Sequence, residues 1–551
     1  MAYIQGRDRR QSLLLPENLE DLVTADNPVR VLDAFVDQLD LQKLGFKRSQ
    51  PAATGRPAYA PGDLLKLYIY GYFNHIRSSR KLMTECGRNI ELFYLLNRLQ
   101  PDFRTIAAFR QENPQALKAV FQAFVQLCLK LDLYHKELVA IDGSKFRAVN
   151  SKDRTYNAEI LAKKLQHIQQ HLDLFLAELD QADAAETETR QPERQQIEQA
   201  IQDLKQRQKV YESYQQQLQD SGDSQLLLTD PEAHRMHTKD GFNCCYNVQT
   251  AVDSGSHLIA AYEVTNHNTD QGLLTGMADA ARQALAVETL AMVADKGYES
   301  RQDILACIQT GILPQVALKY DRSERVFNLD YVPADMDEAR RRSTQAADIQ
   351  ACLQAGIRPA CYDGTDLVVE RQQQTQLSCF LRNPDDTVTC PMRQILTRQK
   401  QRGRNTIYAN KDACRQCQNR CTSSKNFKTV SFGPGNTAVP VRMYGSPHTL
   451  NPLPPDAVIS SYNHTLNRKD YAAAQKVVVR IRENPEQIRQ RKCTVEHPFG
   501  TVKWYGGAHY LLCKGKEKVA AEIGLSYLAY NLKRDLNLVG VRGLRSAISQ
   551  N

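Results

Sequence analysis

At 551 residues, 24% of them charged, the chain is long enough for three or four modules, and it carries no uninterrupted apolar run of about 18 residues that could span a membrane. Its net charge of +9 is a mild basic excess, which permits nucleic-acid binding without establishing it. Fourteen cysteines behind an N-terminus with no signal-peptide apolar region point to a cytoplasmic protein whose clustered thiols bind metal rather than form a disulfide framework.

In chain order, Arg7, Arg9 and Arg10 make a basic opening, followed by Leu13–Leu15. Residues 26–46 read as a helix started by Asn27 and Pro28, with Val31, Leu32, Phe35, Val36 and Leu39 on one face. Residues 49–61, rich in Pro, Gly and Ala, read as a linker. Residues 62–135 read as all-helical, with a basic break at Arg77, Ser78, Ser79, Arg80 and Lys81. Short helices with Arg and Ser at their junctions suit a helix-turn-helix-like module in residues 1–135, with Arg77, Arg80 and Lys81 as phosphate contacts. An ordinary helical domain with solvated arginines is the alternative.

Residues 136–320 open a different pattern. Leu138, Val139, Ala140 and Ile141 form an apolar strand that delivers Asp142 onto a Gly-Ser turn. Such an Asp is either a metal ligand fixed by the sheet or a cap on its own turn. Leu161, Leu165, Ile168, Leu172, Phe175 and Leu179 then follow a 4-3-4-3-4 spacing. With Ile197, Ile201, Leu204, Tyr211 and Leu218 they predict a helical hairpin over 155–221, inserted in the core. Two β-rich runs, 246–253 and 257–266, a helix at 270–286 and a strand ending on Asp295 come next. Residues 321–484 are polar and irregular, and residues 485–551 return to helix, with Glu496 on the first.

Asp142 and Asp295 each end a strand and are followed closely by glycine, and Glu496 comes from a separate segment. Three such carboxylates can hold two Mg²⁺ or Mn²⁺ ions, which prefer oxygen donors. Two ions roughly 3.5–4 Å apart serve phosphoryl transfer by activating one oxygen and stabilising another. Lys503 lies seven residues after Glu496, two helical turns on, where a cation can meet a DNA phosphate. Asp230 and Asp253 are rival acids, with Asp230 suited to a turn. His497 is either a phosphate contact or a packed or surface histidine. Trp504 and Tyr505 can stack on an extruded base or pack on the sheet.

The boxes AIDGSKF, ADKGY and VEHPFGTVK resemble those of bacterial insertion-sequence transposases of the DDE class. So do DNPVR, LLKLYIYGYFNHIRSSRKL, LTDPEAHRM, YNVQTAVD and LAYNLKRDLNLVG, so that the resemblance covers nearly the whole chain. It is nearest to the family numbered eleven-eighty-two, within the group related to the fourth insertion sequence. The resemblance implies an α/β, RNase H-like catalytic core, with Asp142 and Asp295 as the first and second metal aspartates and Glu496 as the glutamate. Of that group's Tyr-Arg-Glu-Lys signature, Glu496 and Lys503 carry over; Lys492 stands at the arginine position with Arg491 beside it, and Arg489 replaces the tyrosine. Ala108 stands where family members usually have Asp.

Cys390, Cys414, Cys417 and Cys421 can close a tetrahedral structural Zn²⁺ site in the polar insertion, where a metal would supply the missing core. Reduced thiols are the alternative. Arg393, Arg398, Lys400, Arg402 and Arg404 around them suit DNA or a solvated loop.

The expected activity is DNA transposition: water attacks a phosphodiester at the element's end, and the freed 3′-OH attacks target DNA. The expected partners are double-stranded DNA, as terminal inverted repeats and target, and a second copy of the chain in synapsis. A nuclease without strand transfer, a domesticated DNA-binding regulator and a zinc-and-coil scaffold are the alternatives.

Overall fold

The structure, a computed structural model, describes residues 18–549 except 52–53, 55–56, 151–153, 185–190, 319–322, 333, 372–376, 418–420, 423–425, 444–453, 455 and 460–475. The basic opening Arg7, Arg9 and Arg10 lies outside the described residues. Two compact units divide the chain, Met1–Asp303 with Glu486–Asn551, and Ile304–Pro485.

The first unit begins with six helices, α1 (Val29–Asp37), α2 (Pro61–Phe73), α3 (Ser79–Cys86), α4 (Ile90–Leu95), α5 (Phe103–Glu112) and α6 (Pro114–Lys130). Pro61 and Pro114 open α2 and α6, where a missing N–H costs nothing. Asp102 caps α5 by accepting from the Arg104 amide at 2.8 Å. Phe35 meets Phe124 edge-on with centroids 5.1 Å apart, and Phe46 stacks on Phe109 at 5.6 Å.

The C-terminal helix, Lys516–Ser549, packs on α1, α2 and α6. Read alone, its sequence suggests an amphipathic surface helix, yet every residue from Val519 to Leu532 is buried. The reason is its position: N-terminal helices cover one side and the sheet the other, so both faces are interior. Gly540, at φ 72°, marks a kink that other residues rarely adopt.

Arg77 changes role in this setting. Its guanidinium is buried, pairs with the buried Glu522, and donates to the Gly507 and Tyr510 carbonyls. It joins the N-terminal helices to the C-terminal segment and has no surface to offer a phosphate. Arg80 and Lys81 remain exposed, Arg80 lying 4.5 Å over the Phe103 ring.

The strands of this unit are β1 (Val139–Arg147), β2 (Thr155–Tyr156), β3 (Leu226–Leu227), β4 (His234–Thr238), β5 (Gly241–Asp253), β6 (Ile259–Thr265) and β7 (Leu290–Ala294). β5 is the longest and pairs antiparallel with β1 along its whole length, with Asp142 opposite Thr250 and Gly143 opposite Gln249. Its other edge takes β4 and then β6. β7 joins the free side of β1 in parallel, Ile141 against Ala294. Val139, Ala140 and Ile141 are fully buried, as an apolar run in a central strand should be.

Between β2 and β3, α7 (Ala158–Ala184) and α8 (Gln191–Ser221) pack on each other. Ile168, Leu172 and Ile201 form their small core, flanked by Phe175, Ile197, Leu204 and Tyr211. α9 (Leu274–Ala284) lies on the sheet and leads into β7.

The second unit corrects the expectation of a polar, irregular insertion. It holds an antiparallel three-stranded sheet with Lys476–Arg482 between Leu367–Arg371 and Glu324–Asp330. A six-stranded antiparallel sheet runs from Thr429–Phe432 through Asn405–Ala409 and Ile395–Arg402 to Ala438–Arg442. Phe380, Val388, Leu396, Tyr408, Phe432 and Val441 give it an apolar core of its own. Ile395–Arg402 escapes sequence reading because its exposed positions from Thr397 on are polar or charged and only Leu396 is buried.

Candidate active site

The site starts from two neighbouring strands: β7 stops just before Asp295, whereas β1 runs on past Asp142 to Arg147, so the Gly-Ser turn expected after Asp142 is strand instead, held by its pairing with β5. In the parallel pair β1–β7, Ile141 faces Ala294, so the next residues, Asp142 and Asp295, emerge side by side. Asp142 Oδ1 accepts from its neighbour, the Gly143 amide, at 2.8 Å. Asp295 Oδ1 accepts from the Gly297 amide at 2.6 Å and caps the short turn Lys296–Tyr298. Burial raises the Asp142 carboxyl to about 6; Arg491 pulls it down and the nearby Asp295 charge pushes it up.

Arg491 arrives from the helix Pro485–Gly500 and donates from Nη1 to Asp142 Oδ2 at 2.7 Å. Its side chain is 11% exposed and that of Asp142 20%. Among the described residues this pair links that helix to Asp142, and it fixes which face of the helix meets the sheet. Val495 and Pro498, one and two turns further on, are buried on the same side.

Glu496 is not brought to the two aspartates. It is exposed and makes no hydrogen bond or ion pair with the described residues. Five residues from Arg491 is roughly 140° round an α-helix, so pointing Arg491 inward turns Glu496 away. Lys492 is exposed as well. His497, also exposed, shares a hydrogen bond of 3.0 Å between Nδ1 and the Tyr530 hydroxyl.

Lys503 departs from the two-turn spacing for a definite reason. After Gly500 the helix widens into a π-turn over Thr501–Tyr505, with the Gly506 amide donating to the Thr501 carbonyl at 2.7 Å. The wider turn shifts the phase. Lys503 Nζ therefore reaches β1, donating to Ser144 Oγ and to the Lys145 carbonyl at 2.8 Å, 4.5 Å above the Phe146 ring. Burial pushes its ammonium down to about 8. Trp504 and Tyr505, on the same π-turn, are 75% and 69% exposed, so packing on the sheet is excluded for both.

Asp270 is the acid that sequence reading missed. Its Oδ1 accepts from Asn247 Nδ2 at 2.8 Å and from Gln249 Nε2 at 2.7 Å. Gln249 Oε1 in turn accepts from the buried Tyr298 hydroxyl, three residues past Asp295. Gly143 is required here: a Cβ would collide with Asp270 Oδ1 and Gln249 Nε2. The available signal was the alternation of Asn247 and Gln249 in a strand otherwise apolar, two carboxamides aimed at one face.

The rival acids have other work. Asp253 caps the loop after α6 by accepting from the Lys136 amide at 2.9 Å, and Asp230 accepts from the Tyr246 hydroxyl at 2.9 Å.

Asp142 and Asp295 suit a hard divalent cation: both are carboxylates, close enough that the Asp295 charge disfavours that of Asp142, with the Arg491 guanidinium paired to Asp142. Among the described residues no group of three or more His, Cys, Asp or Glu side chains is placed to hold a metal ion. The same holds for the cysteines of the second unit. Cys390, Cys414, Cys417 and Cys421 line one small pocket with Phe380, Met392, Leu396 and Met443. Burial pushes the Cys421 thiol up to about 11. The donor set as placed does not fit Zn²⁺, and the apolar core beside it removes the need for one.

Two family models match the chain, a Transposase domain (DUF772) over residues 17–112 and a Transposase DDE domain over residues 220–532. Asp295 and Glu496 lie within the second match, and Asp142 lies between the two. No curated protein matches. A solved structure described as a piggyBac transposase synaptic complex with hairpin DNA aligns at 8% identity, covering 95% of this chain and 79% of its own, with a TM-score of 0.29. That score is too low to bear on the fold. The DDE domain match spans more than half of the chain, and the chain belongs to the DDE transposase family.

Proposed function

We propose that this chain is the transposase of a bacterial insertion sequence, which binds the element's ends, hydrolyses a phosphodiester at each and transfers the freed 3′ strand to target DNA. The observation that carries the reading is the placing of Asp142, within β1, beside Asp295, which follows the end of the parallel strand β7, in a chain of the DDE family. The strand order β6-β5-β1-β7, with β1 antiparallel to β5 and parallel to β7, supports an RNase H-like core.

Asp142 and Asp295 would hold the divalent cations, Mg²⁺ or Mn²⁺, with Glu496 as the third acid by resemblance. When bound, two such ions supply positive charge to the attacking and leaving oxygens of the phosphodiester. The chain's own groups do the rest. The sheet fixes both aspartates before substrate arrives, so no ordering is needed during reaction. Arg491 pairs with Asp142 and would offer its remaining N–H donors to a phosphate beside it. Lys492, His497, Arg80 and Lys81 present exposed polar or basic groups for the DNA backbone. Lys503 holds β1 from Ser144 to Lys145, which keeps the strand that carries Asp142 in place.

The test is a reaction of the full chain with linear DNA carrying the element's flanking ends, Mg²⁺ and a target plasmid. Cleavage and joining by the wild type, lost in Asp142→Asn, Asp295→Asn and Glu496→Gln with end binding retained, is the expected result. Full cleavage by any one variant removes that residue from the site. Cleavage without joining would replace the transposase with a nuclease, and end binding without cleavage would leave a regulator.

A further inference from the structure

Asp270 sits between two segments, the stretch of β1 that carries Asp142 and the turn that follows Asp295. Toward the first, it gathers the carboxamides of Asn247 and Gln249, which stand on β5 opposite Lys145 and Gly143. Both carboxamides are buried, 1% exposed, so each must find partners inside the protein. A carboxylate oxygen only accepts, and this forces both amide groups to present N–H toward Asp270. Gln249 is then left with its oxygen facing the Tyr298 hydroxyl, which donates to it.

Tyr298 belongs to the turn after Asp295. It is fully buried, and its amide donates to the Asp295 carbonyl at 3.2 Å. The chain of contacts thus runs Asp270, Gln249, Tyr298, Asp295. Asp270 Oδ2 has no hydrogen-bond partner among the described residues and faces the same turn, 3.5 Å from where a Gly297 Cβ would stand, a point also close to Asp295 Oδ1. Gly143 on β1 and Gly297 on the turn after Asp295 leave the room that this arrangement needs.

We propose that Asp270 is a positioning residue of the metal-holding pair, setting the relative placement of Asp142 and Asp295 through Gln249, Tyr298 and the Gly143 backbone. This rests on the reading of Asp142 and Asp295 as cation ligands. Residues that orient metal ligands typically change metal affinity by 10–100-fold when lost.

The experiment is a Mn²⁺ titration of the full chain without DNA, followed by electron paramagnetic resonance of the free ion and paired with thermal melting. Asp142→Asn is expected to remove the site. Asp270→Ala is expected to weaken Mn²⁺ binding about tenfold with the melting temperature nearly unchanged. Asp270→Asn, which keeps an acceptor oxygen, is expected to recover part of the loss. Tyr298→Phe removes one hydroxyl from the same chain without disturbing its packing, and is expected to weaken binding several-fold even if Asp270→Ala fails to fold. Equal affinity in wild type and in Tyr298→Phe or the folded Asp270 variants overturns the proposal, as does wild-type binding that Asp142→Asn leaves intact. Mn²⁺ binding with these effects in a protein that cuts no DNA sinks the transposase reading and leaves the role of Asp270 standing.

Discussion

Arg491 Nη1 stands 2.7 Å from Asp142 Oδ2, across 349 residues of sequence, and this contact fixes which face of the Glu496 helix meets the sheet. A guanidinium there occupies the side of the carboxylate that a cation would approach. Arg491→Ala leaves Asp142 with Asp295 beside it and without its hydrogen-bonded counter-charge. The expected cost is about 2–3 kcal/mol, less than the roughly 3–5 of a fully buried pair because a fifth of the Asp142 side chain is exposed. Millimolar Mg²⁺ is expected to restore more stability to this variant than to the wild type. Thermal melts of both proteins with and without Mg²⁺ check this; an equal Mg²⁺ effect would rule it out.

The raised Asp142 carboxyl, about 6, sets a pH window. Protons and a divalent cation compete for the same oxygen. Below pH 6 cation affinity is expected to fall about tenfold per pH unit, and above it to level off, so Mn²⁺ should bind roughly tenfold more weakly at pH 5 than at pH 7. The stability term has the opposite slope. A carboxyl whose folded pKa lies above its unfolded value of about 4 favours the folded protein below that value, and this contribution is lost as the pH rises through 6. Titrations at three pH values separate the two; affinity flat from pH 5 to 7 would remove Asp142 as a ligand.

Arg77 and Arg80 are three residues apart and are expected to behave oppositely. Arg77→Ala strands the buried Glu522 and should cost about 3–5 kcal/mol. Arg80→Ala touches an exposed side chain over one ring and should change stability by no more than about 1 kcal/mol, while weakening DNA binding and its salt dependence. Urea unfolding and DNA binding at two salt concentrations test the pair. Loss of stability in Arg80→Ala alone would invert the assignment.

Chelation should leave the second unit folded. Its six-stranded sheet is held by Phe380, Val388, Leu396, Tyr408 and Phe432, and the four clustered cysteines only border that core. Overnight treatment of the full chain with a strong zinc chelator is expected to shift no thermal transition by more than about 2 °C. A lost transition, restored by Zn²⁺, would show that the thiols close on a metal after all.

What the sequence made legible were features written in short stretches. The apolar runs before Asp142 and Asp295 announce buried strands, though the first runs on past its acid to Arg147, and the heptad spacing of Leu161 to Leu179 announces a long helix. What it hid was decided by distant partners. Nothing local distinguishes Arg77 from Arg80; only Glu522, 445 residues away, does so. Nothing local shows that Asp270 meets Asn247 and Gln249, because that requires the register of β5 against β1. Lys503 was misplaced by a single π-turn, which sequence spacing cannot register. The strand Ile395–Arg402 of the second unit was missed because one buried residue in eight gives no alternation to read.

The C-terminal helix has a consequence for the growing chain. It fills the middle of the N-terminal helices, and Gln38 near the start donates to the Ile548 carbonyl near the end, 510 residues later. β1 likewise emerges long before Arg491. At roughly 5–20 residues per second, those 349 residues take about 17–70 s to synthesise. Throughout that interval the N-terminal helices lack their centre, and Asp142 lacks the arginine that balances it. The helix Lys516–Ser549 must therefore be made before the N-terminal helices are competent. A premature stop anywhere after residue 303 would delete the second unit or the terminal helix and, with the latter, unmake the module at the opposite end of the chain.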